Sequence, residues 1–408
     1  MKKNLIRLLS AVLAGSLCMG LSGCGEPGTG GDGKTGKDAI KVGLICLHDE
    51  NSTYDLNFLN AMEEAKKELG LSDNQIIIKK NIPETNECKE AAADLADRGC
   101  SIIFADSFGH EPYMLEAAEA YPDVQFCHAT GTMAHTENKD NFHDAFASIY
   151  QGRYLAGIAA GLKLNQMIDE GKIKPEEAVM GYVGAFTYAE VISGYTSFYL
   201  GAKSVCPSTT MKVQFTGSWY DETAEKEAAT KLLSQKCVLI SQHADSMGAP
   251  TACENAGVPN ISYNGSTKDA CPNTFIVSSR IDWKPYYVYA INCVLNGQQI
   301  KTDWVGDLST GSVVLTEVNE QAAAPGTQAA IDEAAAQLKD GTLHVFDTAA
   351  FTVDGKMLTT YLADVDTDPE YQPDTEVIKD GYFHESEYRS APYFDVQIDG
   401  IEQLNTMF

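Results

Sequence analysis

Aromatic residues stand beside small polar residues at several points where short apolar runs of the sequence end. The aromatic members of this set are Tyr54, Phe108, Phe186 and Trp219, and their polar neighbours are His48, Asp49, Asp55, Ser107, Asp245 and Asn264. Aromatic faces bind a flat heterocycle by stacking, at roughly 1–3 kcal/mol per ring, while carboxylate, amide and hydroxyl groups hydrogen-bond to its edge. The alternative is that the rings only cap the hydrophobic core. Taken together, the set favours a site for a planar ligand.

Catalytic chemistry is not favoured by the same residues. Ser107, His110 and Glu111 lie close together, but a hydrolase serine needs an elbow such as GxSxG and a separately placed base, and the run around Ser107 supplies neither. We therefore expect a binding protein that needs no cofactor and is not an enzyme.

A metal-capture protein is an alternative, because four histidines cluster at His110, His128, His135 and His143. Zinc needs three or four converging ligands. The last three histidines are spaced by seven and eight residues, which places them at no common strand end. Ordinary surface or strand histidines are the preferred interpretation, so we expect no metal site.

The length and the net charge of the chain further limit the classes of function that we expect. The chain has 408 residues, enough for two or three domains of about 150 residues each. Its 57 acidic residues outnumber 30 basic ones, which gives a formal net charge of −27. Such a surface repels the phosphates of nucleic acids and the anionic headgroups of a bilayer. We therefore expect no nucleic-acid binding.

The N-terminus has the features of an export signal. Lys2 and Lys3 precede an apolar stretch at 8–21, and the stretch ends in a Leu-Ser-Gly-Cys run whose cysteine is Cys24. This run resembles a bacterial lipobox. It predicts a signal peptide at 1–23, a diacylglycerol group on Cys24 and a Gly-rich tether at 24–39. We expect a lipoprotein held on the outer face of the cytoplasmic membrane.

Nine of the 11 cysteines follow Cys24, and several lie inside apolar runs. A cysteine in such a run behaves as a small buried hydrophobe. Cys253 and Cys271 lie in loop-like sequence, which makes them the most plausible disulfide pair.

The elements that must position these residues form a regular β/α alternation from residue 40 onward, which is typical of parallel sheets wrapped by helices. The pattern runs once to about residue 150 and then restarts, and this predicts two lobes. The predicted strands lie at 41–46, 76–79, 101–105, 124–127, 179–183, 212–215, 237–241, 275–279 and 312–317, with a further β-like run at 343–346. The polar and aromatic residues follow the strand ends, where parallel sheets present their ligand sites.

Five motifs in these positions resemble one family, the basic membrane protein family of substrate-binding lipoproteins, also described as purine nucleoside receptor-like. They lie at 107–109, 149–157, 217–227, 242–246 and 283–287. The resemblance implies a type I periplasmic-binding fold, an α/β fold with two Rossmann-like lobes joined by a three-crossing hinge. Lobe 1 would hold 40–149 plus about 280–305, and lobe 2 would hold 150–279 plus about 306–408. It also implies a monomer that delivers nucleosides or purines to an ABC transporter permease.

Carried over by residue, the resemblance makes Tyr54 and Trp219 the two base-stacking aromatics, one from each lobe. Asn264 stands where nucleoside-binding members place an Asp that holds the ribose. The Lys expected after the strand at 275–279 is missing, which favours a free base over a nucleoside. The predicted ligand-binding residues are Tyr54, Ser107, Phe108, Phe186, Trp219, Asp245, Asn264 and Trp283, with His48, Asp49, Asp55 and Arg280 as further contacts. A sensory surface protein remains an alternative to an import subunit, since sequence does not separate the two.

Overall fold

The computed structural model describes residues 40–365 and 372–406. The predicted signal peptide, the lipid-bearing Cys24 and the tether all lie outside the described residues. Within the described residues, no helix combines the length and the apolar composition that crossing a bilayer requires.

Six strands form the first sheet, in the spatial order β11-β5-β4-β3-β1-β2, and every neighbouring pair is parallel. Their short and mostly buried sequences suit a sheet that is covered on both faces. The strands are β1 (Val42–Ile45), β2 (Ile76–Lys79), β3 (Ile102–Ala105), β4 (Gln125–Ala129), β5 (Phe142–Ala147) and β11 (Asp303–Gly306).

Seven strands form the second sheet, in the order β12-β10-β9-β8-β6-β7-β17, and only β12 runs antiparallel to its neighbour. They are β6 (Val179–Gly184), β7 (Thr210–Phe215), β8 (Leu239–His243), β9 (Asn260–Tyr263), β10 (Phe275–Ile281), β12 (Val313–Leu315) and β17 (Ile401–Gln403). Four two-residue strands pair separately: β13 (Leu362–Ala363), β14 (Thr375–Glu376), β15 (Ile378–Lys379) and β16 (Tyr382–Phe383).

Helices connect the parallel strands, and their ends follow capping rules. In α1, the Ser52 hydroxyl accepts the amide of Asp55 at the start, and Gly70 ends the helix with a φ of 61°. The helices are α1 (Thr53–Leu69), α2 (Asn86–Asp97), α3 (Glu111–Ala120), α4 (Ala134–Glu137), α5 (Ile149–Asp169), α6 (Ala189–Val205), α7 (Glu222–Ser234), α8 (Gly248–Ala256), α9 (Lys284–Asn296) and α10 (Thr327–Asp340).

Helices α5 and α6 pack closely because glycines face each other's backbone. A Cβ on Gly157 would lie 2.1 Å from the carbonyl oxygen of Phe198, and one on Gly201 would lie 2.0 Å from that of Tyr154. Any side chain at either position would push the two helices apart.

The chain passes between the two sheets three times. It leaves the first sheet after β5, returns after β10 to place α9 against α1, and leaves again between β11 and β12. These passages make two α/β lobes, so the predicted α/β class with parallel sheets is confirmed. We call the lobe around the first sheet lobe 1 and the lobe around the second sheet lobe 2.

Two details differ from the sequence predictions. The run at 343–346 is not a strand: Phe346 stacks on Phe394 at 4.1 Å and so fills the core of lobe 2. The disulfide prediction is wrong, since Cys253 and Cys271 are both free thiols. Cys253 belongs to the core beside α8, and burial raises its pKa to about 12. The nine cysteines of the described residues are all free and buried, as their apolar runs indicate.

Candidate functional site

A cavity lies between the lobes, where the carboxyl ends of both sheets face each other. It encloses about 380 Å³ of space free of atoms, including the part open to solvent. Eight of the predicted residues line it: His48, Tyr54, Asp55, Ser107, Phe108, Trp219, Asp245 and Asn264. Residues that are far apart in sequence therefore meet at one site.

Tyr54 comes from the first turn of α1 and is held at two points. Its hydroxyl donates to the carbonyl oxygen of Asp106 at 2.6 Å, and its ring packs edge-on against Phe58 at 4.9 Å. Burial and the neighbouring carboxylates, led by Glu190, raise the pKa of Tyr54. The ring therefore has a fixed orientation at the cavity.

Asp55 faces the same cavity and is linked to His48. The His48 amide donates to Asp55 Oδ1 at 2.8 Å, and its ring Nδ1 lies 3.5 Å from Oδ2. Burial opposes ionisation of Asp55, but the hydrogen bonds from His48 and Ser52 outweigh it and hold the pKa below its usual range. Burial and the charge of Asp55 raise the pKa of the neighbouring Asp106. Asp55 is thus the ionised member of the pair.

Ser107 and Phe108 follow β3, and only Phe108 has a side chain that is free to contact a ligand. The Ser107 hydroxyl donates to Glu84 at 2.6 Å, so its proton is already engaged. Phe108 remains 37% exposed, and its ring lies 5.4 Å from that of Tyr188 in lobe 2. Phe108 therefore presents an aromatic face near the mouth of the cavity.

Trp219 is the aromatic wall contributed by lobe 2. It follows β7 and packs edge-on against Phe186 at 5.0 Å, while Phe186 stacks on Tyr188 at 5.1 Å. Phe186 does not line the cavity. Its edge-on contact with Trp219 orients the indole.

Asp245 and Asn264 form the polar floor of lobe 2. The Asn264 side-chain amide donates to Asp245 Oδ1 at 3.0 Å, and the Asp245 amide donates to the Trp219 carbonyl oxygen at 2.9 Å. Asn264 adopts a left-handed φ of 64°, which asparagine tolerates better than most residues. Burial and the charge of Glu225 raise the pKa of Asp245. Its carboxyl can therefore be a donor or an acceptor towards a ligand.

Five lining residues were not predicted from the sequence: Leu47, Thr130, Glu190, His243 and Tyr263. His243 ends β8 and lies 3.3 Å from Glu190 through Nε2, with its ring 4.4 Å from that of Tyr263. Burial lowers the pKa of His243. Its position directly at a strand end was the signal that could have identified it.

Three other predicted residues lie away from the cavity. Trp283 is 1% exposed and stacks on Phe58 at 4.4 Å in the core of lobe 1, so we remove it from the site. Arg280 lies 3.7 Å from Asp282 and does not replace the missing lysine. Asp49 is part of the first loop, where it accepts from Asn51.

Direct hydrogen bonds join the lobes beside the cavity. The Thr53 amide donates to the Asp245 carbonyl oxygen at 3.1 Å, and the Asn57 side chain donates to the Asn264 carbonyl oxygen at 2.9 Å. Both bonds connect α1 to strand ends of lobe 2. The structure is therefore a closed form of the cleft.

The lining is acidic. Asp55, Glu190 and Asp245 contribute carboxyl groups, and no lysine or arginine is among the lining residues. Such a site disfavours anions and suits neutral ligands that carry hydrogen-bond donors.

Similarity to known proteins agrees with this geometry. A sequence model of the family described as Bmp, ABC transporter substrate-binding protein PnrA-like, matches residues 43–341. A purine-binding protein of Brucella abortus is 29% identical over 76% of this chain and 84% of its own length. A Haloferax volcanii protein with the provisional name of ABC transporter glucose-binding protein is 32% identical over 57% of this chain and 58% of its own length.

The nucleoside-binding protein BmpA of Lactococcus lactis is 24% identical over 66% of this chain and 72% of its own length. Among solved structures, a solute-binding protein of an ABC transporter system from Conexibacter woesei has a TM-score of 0.61 at 22% identity, covering 75% of this chain and 98% of that one. One from Aeropyrum pernix has a TM-score of 0.63 at 16% identity, covering 78% and 94%. These structures confirm the predicted type I periplasmic-binding fold.

Proposed function

Because the chain belongs to the PnrA-like family of ABC transporter substrate-binding proteins, we propose that it captures a purine base or nucleoside in the cleft between its lobes. Members of this family bind solutes for ABC transporters outside the cytoplasm and are not enzymes. The partner of the loaded protein is then a transporter permease.

Aromatic residues of both lobes line one cavity together with polar groups, and this observation is the main support for the proposal. Tyr54 lies on the lobe 1 side and Trp219 on the lobe 2 side. A planar base between them stacks on both lobes only when the cleft is closed, so stacking favours the closed state. Asp245 and Asn264 supply donors and acceptors for the edge of the base.

A free base is the preferred ligand within this class. Asn264 stands where nucleoside-binding members of the family place an Asp, and its side-chain amide donates to Asp245, while Arg280 is paired with Asp282. The chain therefore lacks the acidic residue and the lysine that hold a ribose in nucleoside-binding relatives. The purine-binding relative supports a purine, while the relative named for glucose makes a sugar the competing ligand.

A melting screen followed by calorimetry tests the proposal. At a ligand concentration of about 100 times the dissociation constant, binding adds about 2.7 kcal/mol to the free energy of unfolding. We expect adenine, guanine or hypoxanthine to raise the melting temperature, a nucleoside to do so no better, and glucose to have no effect. A response to glucose alone would replace the purine with a sugar. A response to Zn²⁺ alone would favour metal capture, and product formation would indicate an enzyme.

The anchor is a second part of the proposal. The lipobox-like run ending at Cys24 supports a lipoprotein on the outer face of the cytoplasmic membrane. Import rather than sensing is the proposed role, and neighbouring genes for a permease and an ATPase distinguish the two.

A further inference from the structure

Three buried side chains of lobe 1 bring atoms that could bind a metal within 4.8 Å of one another. Glu111 begins α3, His128 lies in β4 and Asp144 lies in β5. All three are at most 3% exposed. None of them lines the interlobe cavity. Their arrangement therefore needs an explanation other than the capture of the transported ligand.

The hydrogen bond of His128 defines which ring nitrogen is free. Its Nε2 lies 2.7 Å from the carbonyl oxygen of Ser107, which can only accept, so Nε2 carries the proton. In the neutral ring, Nδ1 is then an unprotonated acceptor. This Nδ1 lies 3.8 Å from Asp144 Oδ1, and neither atom has a hydrogen-bond partner among the described residues.

The carboxylates are oriented by backbone amides of the segment that follows β4. Glu111 Oε1 accepts from the amides of Thr132 and Met133 at 2.8 and 2.7 Å, and Asp144 Oδ2 accepts from that of Ala134 at 2.9 Å. Asp144 Oδ1 is left facing His128. Buried acceptors that face one another without a donor repel, and each unsatisfied group costs about 1–3 kcal/mol.

The backbone of Gly131 packs closely against these atoms. A Cβ at this position would lie 2.0 Å from Asp144 Oδ1 and 2.6 Å from His128 Nδ1. Any side chain at this position would therefore clash with both unpartnered atoms.

We propose that Glu111, His128 and Asp144 bind a divalent transition-metal ion such as Zn²⁺. Two carboxylates balance its charge, and an imidazole nitrogen favours zinc over magnesium or calcium, which prefer oxygen ligands only. A metal-binding histidine usually donates its other ring N–H to a carbonyl or carboxylate, as His128 does to Ser107. The ion ties α3, β4 and β5 together and orders the segment that carries Thr130 to the cavity.

A proton shared among these buried groups could occupy the site instead of a metal. A protonated carboxyl group would also relieve the repulsion between the buried acceptor atoms. The two occupants predict different measurements. A metal site binds Zn²⁺ at one ion per chain and loses stability when a chelator is added. A shared proton gives neither result.

Isothermal titration of the chelator-treated protein with Zn²⁺ tests the site. We expect one ion per chain, a raised melting temperature that EDTA reverses, and X-ray absorption that fits one nitrogen and two carboxylate ligands. Asp144→Asn and His128→Gln should each lower the affinity for Zn²⁺ at least about tenfold. The control is His143→Gln, a buried histidine of β5 whose nitrogens lie 2.8 Å from Gln125 Oε1 and 3.1 Å from the Lys301 carbonyl oxygen. This control should keep the full zinc stoichiometry.

Three results would overturn the site. They are the absence of stoichiometric Zn²⁺ binding by the unmodified protein, unchanged affinity in the Asp144→Asn and His128→Gln variants, and loss of binding in Cys46→Ser instead. The last result would assign the ion to the buried group of Cys46, Asp55 and Asp106.

Discussion

The side-chain amide of Asn57 donates to the carbonyl oxygen of Asn264 at 2.9 Å and so joins helix α1 of lobe 1 to the end of β9 in lobe 2. Both residues are buried, at 6% and 2% exposure. A bond between lobes exists only while the cleft is closed. Ligand affinity should therefore depend on a residue that does not itself line the cavity.

Asn57→Ala should weaken the affinity for the ligand about fivefold. The substitution removes one buried hydrogen bond of the closed state, worth about 1 kcal/mol. Calorimetry with a purine that binds the unmodified protein measures the change. The matched control is Asn60→Ala, which alters an exposed residue of the same helix. Equal affinities of the Asn57→Ala and unmodified proteins would contradict a role for this bond in closure.

Trp219→Ala should cost about 1–3 kcal/mol of binding free energy, or roughly fivefold to 150-fold in affinity. The substitution removes the aromatic wall of lobe 2, whereas Trp219→Phe keeps a smaller stacking face and should retain most of the affinity. Because the indole also packs on Phe186, circular dichroism should first establish that both variants fold. An alanine variant that binds as tightly as the phenylalanine variant would mean that Trp219 only covers the core.

Most of the α/β framework was predictable because each parallel strand is a short apolar run followed by an amphipathic helix. The sequence predicted β2 at its observed bounds, Ile76–Lys79. It missed β5, whose run contains His143 and Asp144, since polar residues inside a strand break the apolar signal. It also missed β17, which joins the second sheet from the far end of the chain.

The site was predictable where aromatic and polar residues follow strand ends, and less so elsewhere. Glu190 lies in the first turn of α6, where acidic residues are common because they interact favourably with the helix dipole. Nothing in the sequence therefore indicated that it would lie beside His243. Trp283 follows β10 but turns into the core of lobe 1. The zinc ligands proposed here come from three separate elements, and only His128 belonged to the histidine cluster in the sequence.

The contribution of Glu225 to the stability of the protein should fall as pH rises from 6.5 to 8. Burial raises the pKa of Glu225 to about 7, above its value of about 4.5 when unfolded. The folded state therefore holds the proton more tightly than the unfolded state, and stability is lost as pH rises through the folded pKa. Over this interval the loss from Glu225 is about 1 kcal/mol. Burial raises the pKa of Glu385 to about 7 as well, which adds a loss of the same sign.

Glu225→Gln isolates this contribution. Urea unfolding at pH 6.5 and 8 should show a smaller difference between the two pH values in the variant than in the unmodified protein. Burial lowers the pKa values of the buried histidines, so they are neutral in the folded state but still titrate near pH 6.5 when unfolded. Their contribution is the same in both proteins and cancels in the comparison. An identical pH dependence in both proteins would mean that Glu225 is ionised in the folded state at pH 6.5.

Cys24→Ala should release the protein from the membrane. A diacylglycerol group buries enough CH₂ to anchor stably, whereas a single acyl chain binds only marginally. Mass spectrometry of membrane-extracted protein should find the lipid on Cys24. Recovery of the alanine variant in the same membrane fraction would contradict the lipid anchor.

Purine nucleotides should bind at least about thirtyfold more weakly than the corresponding nucleosides. Asp55, whose hydrogen bonds hold its pKa below the usual range, lines the cavity with Glu190, and no lysine or arginine among the lining residues offsets them. At about 8 Å and an effective dielectric constant of about 20, two like unit charges repel by about 2 kcal/mol, which is about thirtyfold in affinity. Calorimetry with adenosine and adenosine monophosphate measures the ratio directly.

Two controls connect this discrimination to the carboxylates. The ratio should shrink as salt rises from 0.05 to about 0.5 M, since screening weakens repulsion between partly exposed charges. It should also shrink in Glu190→Gln, which removes a negative charge at the start of α6 and leaves the aromatic walls in place. Tight binding of the monophosphate by the unmodified protein would require a cation at the cleft and would contradict the acidic lining as the basis of selectivity.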